Sequence, residues 1–268
     1  MVILFLTTLA AGFLLVLAMC RMDQVAWSFV RLIAILALCL LVPVLAHFAL
    51  GSRWEAGPWA VWGAILTGLA ALAAFVVLGQ APVAPAYGRA VRVGAGVGGL
   101  LALMAGWAWG LDDGIWAYGQ RAVLLAVLAG HALTAILLGA VSLATALGHA
   151  YLTHTAMTIH PLRRLAMVFA GAMAARIAWT LLVGGAVWGY GAAHGTVPSD
   201  LLAREWLLLL VRGGVGLLIP AVFAYMVVET VRLRATQSAT GILYFALVLI
   251  YIGELAGLYL VRETHLPL

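Results

Sequence analysis

Long apolar runs separated by short polar connections repeat along the whole chain. Stretches of spanning length, about 20 residues each, fall at roughly 2–20, 27–50, 58–79, 91–110, 119–152, 164–190, 203–230 and 239–261. They are continuous rather than alternating, which predicts α-helices and excludes a β-barrel of period-two strands. The connections carry Gly, Pro and Asp, as in GSRWEAGP (51–58), GQAPVAPAYGR (79–89) and HGTVPSD (194–200), and none is long enough to separate domains. The pattern predicts one all-α domain over residues 1–268, a transmembrane bundle of about eight helices with no convincing internal repeat. The first run has no basic n-region, and Met19 is too large to sit at a processing site before Cys20, so it is expected to stay as a helix.

Composition sharpens this picture. Apolar residues make up 66% of the chain and charged residues 9%, with a mean hydropathy of +1.15. That balance belongs to a multi-pass membrane protein, and the bacterial inner membrane is the expected location. The net charge of +5 does not point to nucleic acid, because the cations are dispersed at segment ends rather than clustered along one face. Cys20 and Cys39 lie in different apolar runs with no CxxC pair, so neither a zinc site nor a thiol-redox site is suggested.

The cations are all arginine, and their distribution predicts orientation. Connections one, three, five and seven collect Arg21, Arg31, Arg89, Arg92, Arg163, Arg164, Arg232 and Arg234 on one side. The opposite side receives Arg53, Arg121, Arg204 and Arg262 among Glu55, Asp112, Asp113, Asp200, Glu205 and Glu263. By the positive-inside rule both termini are expected outside the cytoplasm. Trp54, Trp59, Trp62, Trp107, Trp109, Trp116, Trp188 and Trp206 fall near that same outer edge. Reporter fusions after Arg92, Arg164 and Arg234 are expected to report cytoplasm, and one at the C-terminus the outer side. A cytoplasmic C-terminus overturns this orientation.

Candidate chemistry begins in the fifth segment. His131 and His149 are eighteen residues apart, five helical turns and about 27 Å along one face. Thr134, Ser142 and Thr145 share that face. Neutral imidazole is the usual axial ligand of b-type haem, and Gly130, Ala132 and Ala135 beside His131, like Gly148 beside His149, are small enough for a macrocycle to approach. His131 and His149 are therefore candidate haem-iron ligands, with His47 in the second segment as the partner of His131. His131 lies about ten residues inside its helix, ~15 Å by helical rise, so that pairing demands a strong tilt. His149, His154 and His160, spaced by five and six, do not share a helix face, and no carboxylate stands near to complete a zinc site. Their loop is expected to dock a partner subunit.

Charges within apolar segments are the second signal, since each costs at least ~2.5 kcal/mol at a helix centre unless paired or wet. Arg176 lies halfway along the sixth segment, Arg212 a third of the way into the seventh, and Glu254 in the eighth. Gln237, Thr240, Tyr244, Tyr251 and Glu254 form one face of the eighth segment. Glu254, Tyr244 and Tyr251 suit a proton or quinone path. Arg176 and Arg212 suit haem propionates, a quinone carbonyl, or Glu254 itself. The run GAGVGG (94–99) contains Gly94, Gly96 and Gly99 in a formal GxGxxG, but no strand precedes it, so dinucleotide binding is rejected. Gly94 and Gly98 instead give the small-xxx-small spacing of a close helix contact. Gly213, Gly214 and Gly216, followed by Pro220, predict a kinked seventh helix.

These residues lead to an expected membrane subunit of a respiratory or electron-transfer complex. It would bind haem b, quinone or both, and exchange electrons with other subunits that include a redox protein. Its role in such an oxidoreductase would be non-catalytic or quinone-reactive. Two alternatives stand beside it. One is a small transporter or channel working through Glu254, Arg176 and Arg212, for which a kinked helix is suited. The other is an anchor or scaffold subunit without a cofactor.

Overall fold

The structure is a computed structural model and describes residues 1–50, 57–80, 86–112, 121–153, 158–193 and 199–264. Its helices are α1 (Val2–Met19), α2 (Trp27–Leu50), α3 (Pro58–Leu78), α4 (Tyr87–Asp112), α5 (Arg121–Thr153), α6 (His160–Ala193), α7 (Ser199–Leu210), a π-helical segment (Val211–Leu218), α8 (Ile219–Arg232) and α9 (Thr236–Thr264). The seventh span consists of α7, the π-helical segment and α8 in series. Among the described residues eight helical spans are long and apolar enough to cross a membrane. The chain is an all-α, multi-pass membrane protein, and the expected segments match the spans to within a few residues. The largest offsets are at α4, α6 and α7, each of which starts four residues earlier than the hydropathy pattern indicates.

The spans form two rings of four. In the first, α1 packs on α2, α2 on α3, α3 on α4, and α4 returns to α1. The second repeats this order: α5 on α6, α6 on the seventh span, the seventh on α9, and α9 on α5. The rings meet where α1 lies along α5. These two helices run in the same direction, since Leu4 clusters with Val127, Thr8 bonds to His131, and Gly12 faces Ala135 and Gly139. A short local likeness accompanies the shared order: TTLAAG (7–12) and TAILLG (134–139) carry the same Thr and Gly at the same separation. Leu4 also packs with Leu258 and Val261, so the beginning of α1 and the end of α9 share one end of the bundle.

Close contacts are made by glycine, as membrane helices require when no hydrophobic drive separates helix from lipid. Gly94 and Gly98 turn toward α3, where a Cβ would stand 3.0 Å from Val77 and Ala73 respectively. At Gly12 and Gly139 the two backbones touch directly. Large apolar side chains such as Phe75, Leu181, Leu210, Val222 and Phe245 cover the outside, the surface lipid would wet. Trp59, Trp62, Trp188 and Trp206 are exposed with them, whereas Trp109 turns inward and donates to Thr67 Oγ1 at 3.4 Å. Residues Arg53, Trp54, Glu55, Asp113, Trp116 and His154 lie outside the described residues.

Candidate functional site

The interiors of the two rings differ in chemistry. The first holds neutral groups: Thr7, Thr8 and Thr67 are buried, and each hydroxyl bonds to a carbonyl of its own helix. The second holds an ionic cluster to which each of its four spans contributes one residue. Glu254 of α9 sits at the centre with its side chain 2% exposed. Arg212 Nη1, from the π-helical segment, lies 2.8 Å from Glu254 Oε1. Arg176 of α6 spans both carboxylate oxygens, with Nε 3.4 Å from Oε1 and Nη2 3.4 Å from Oε2. Thr134 of α5 donates to Oε2 at 3.0 Å.

Local backbone geometry makes this cluster possible. Gly213, Gly214 and Gly216 are poor helix formers, and Pro220 has no N–H to give to the carbonyl four residues earlier. The helix widens to π geometry over Val211–Leu218, and Glu205 is a non-helical kink farther upstream. Departures into π geometry recur at functional sites. Gly216 then meets Gly253 of α9 so closely that a Cβ on Gly216 would stand 2.5 Å from the Gly253 Cα. Arg212, one turn before Gly216, is thereby held against Glu254, the neighbour of Gly253. Gly257 completes the cradle, since a Cβ there would stand 3.0 Å from Arg212 Nε.

Below the cluster the polar faces of α5 and α9 pair as antiparallel stripes. Ser142 Oγ and Tyr251 Oη are 2.8 Å apart, Thr145 donates to the Leu243 carbonyl at 3.4 Å, and Tyr244 Oη lies 3.1 Å from His149 Nδ1. Both stripes are visible in the sequence, and the fold turns them toward each other. Tyr251 is half-buried, Thr240 buried, and Gln237, Tyr244 and His149 exposed.

The histidines do not converge on a haem. His131 is 5% exposed, and its Nε2 lies 2.8 Å from Thr8 Oγ1 across the α1–α5 contact. The space beside it that the small residues suggest for a macrocycle is filled by protein: the Trp179 indole occupies the notch at Gly130, and Gly106 of α4 packs on the imidazole. His47 is exposed on α2, which packs on α1 and α3 rather than on α5. His149 is exposed at the far end of its stripe, with Thr240 filling the notch at Gly148. Arg176 and Arg212 both engage Glu254. These residues do not fit a haem held between His131 and His47, because the imidazoles face different surroundings and His131 is enclosed. Among the described residues no three His, Cys, Asp or Glu side chains group to hold a metal ion.

The two cysteines stay apart, Cys20 buried and Cys39 exposed. Just past α1, burial pushes the Cys20 thiol up to about 11, which leaves it protonated and unreactive at neutral pH. In the following loop, the hydrogen bond from Arg21 holds the exposed Asp23 carboxyl below its usual range.

Compared with known protein families, curated proteins and solved structures, the chain matches none.

Proposed function

We propose that this chain is a small transporter of the bacterial inner membrane that carries an anionic solute through its second ring. The observation that carries the reading is the Arg176–Glu254–Arg212 cluster, enclosed by the four spans and joined to the π-helical stretch of the seventh. Ionisable groups at that depth are expensive and mark substrate paths by default. With all three groups ionised the cluster has a formal charge of +1, which favours a negative solute. Transporter sites are typically built where a membrane helix departs from regular α geometry, as the seventh span does over Val211–Leu218. His131 and His149 each have a hydrogen-bond partner, so neither histidine calls for a cofactor.

A second reading has its own support. The Ser142–Tyr251 and His149–Tyr244 contacts line a hydroxyl path toward Glu254, as a haem-free quinone-reactive subunit of an electron-transfer complex would use. Such a subunit would work with a redox partner docked at the exposed His149 end.

Purified protein in proteoliposomes separates the two. A transporter gives charge movement when anion gradients are imposed, and Arg176→Gln loses it. Its reduced-minus-oxidised spectrum is flat and identical in His131→Ala. A reduced α-band of b-type haem, or quinone extracted in stoichiometric amount without any anion-driven current, overturns the transporter reading in favour of the second.

A further inference from the structure

We infer that the second ring binds a singly charged carboxylate on the free edge of Arg212; this rests on the transporter reading and names its substrate class. The first argument is charge. Among the described residues the ionised groups at the cluster are Arg176, Arg212 and Glu254, a formal sum of +1, and Thr134 and Tyr251 beside them are neutral. A single anion brings that sum to zero and a dianion overshoots it.

The second argument is donor geometry. Arg212 spends Nη1 on Glu254, while Nε and Nη2 have no hydrogen-bond partner among the described residues, although the side chain is 2% exposed. Buried donors of a charged group are rarely left unmatched. Nε and Nη2 lie side by side in the guanidinium plane, and two parallel N–H groups are the fork that a carboxylate accepts with both oxygens. A halide would meet only one point of that fork. One turn along α6 from Arg176, the Trp179 indole N–H also lacks a partner among the described residues, so donors exceed acceptors in this region of the ring.

The third argument is access. The free edge of Arg212 rests on Gly257, with no side chain between them. Arg212 is carried by a π-helical segment in which a Cβ at Gly213 or Gly214 would meet nothing within 4 Å. A shift of this segment away from α9 would part the Arg212 edge from Gly257, where no side chain has to be displaced.

The test uses thermal unfolding of the full chain in nanodiscs, with benzoate against isosteric benzamide and, in a separate arm, lipid doped with oleate against oleyl alcohol. A saturable rise in melting temperature with benzoate alone marks a water-borne carboxylate, and with oleate alone a lipid-borne one; either supports the proposal. Arg212→Lys keeps the charge but loses the fork, and is expected to bind about tenfold more weakly or worse. Arg176→Gln brings the formal charge to zero and is expected to lose the response. Glu254→Gln brings it to +2 and is expected to enlarge it, which a purely structural cluster would not do. Equal stabilisation by the neutral analogues or by chloride, or a carboxylate response unchanged in Arg212→Lys and Arg176→Gln, overturns the proposal. Transport of another anion without carboxylate binding overturns the substrate class and leaves the transporter reading standing. Carboxylate binding without transport does the reverse.

Discussion

Glu254→Gln is expected to lower the stability of the protein by about 3–5 kcal/mol, the typical cost of removing one partner from a buried ion pair. The volume is almost unchanged, so packing is not the cause. Gln keeps a carbonyl for one guanidinium but leaves Arg176 and Arg212 facing each other without the negative charge that both now share. Arg176→Gln is expected to cost less, because the 2.8 Å Arg212–Glu254 pair survives with no net charge. Replacing Arg176, Arg212 and Glu254 together with Leu is expected to be neutral or stabilising, since no buried charge is left to desolvate. The triple variant would also be inert in transport, which separates what the cluster does from what holds the bundle together. Unfolding midpoints in one detergent check all three. A Glu254→Gln protein that melts with the wild type refutes the view that this carboxylate holds the two arginines.

Much of this arrangement is legible in the sequence, and what is not has a physical reason. The eight spans follow from hydropathy, because a helix that must satisfy its backbone inside lipid needs a long apolar run. The cost of a buried charge picks out Arg176, Arg212 and Glu254 one by one. Sequence does not say that all three meet, since that depends on which spans are neighbours. Periodicity likewise marks the stripes on α5 and α9 but not that they face each other. The histidines mislead for a related reason. Small residues beside His131 suggest room for a macrocycle, whereas in a membrane bundle small residues are how helices approach, and Trp179 and Gly106 take up that space. The signal for the cluster's geometry is present in Gly216, Gly253 and Gly257, whose places opposite Arg212 and Glu254 become meaningful only once the seventh span lies against α9. The four-and-four order of the rings is also hidden, because only the Thr and Gly of TTLAAG and TAILLG repeat, within helices of otherwise interchangeable apolar residues.

Those two glycines carry the second large expected effect. Gly139→Ala is expected to destabilise the protein by about 2–3 kcal/mol, at the upper end for an added methyl group in a packed interior. The new Cβ would overlap the Gly12 carbonyl and stand 2.8 Å from the Gly12 Cα. A flexible side chain can move aside, but here the obstacle is backbone, so α1 and α5 must separate. Separation also stretches the 2.8 Å Thr8–His131 contact one to two turns away, leaving polar groups of both rings less well matched. Gly12→Ala meets the Ala135 carbonyl in the same way and is expected to cost a similar amount. The two substitutions together should cost less than their sum, because the first already forces the helices apart. Gly171→Ala on α6 is the control: a Cβ there meets nothing within 4 Å, and the position is exposed. It should be neutral or slightly stabilising through helix propensity. Unfolding midpoints of the four variants decide the matter, and a Gly139→Ala protein as stable as Gly171→Ala would mean that α1 and α5 do not touch backbone to backbone.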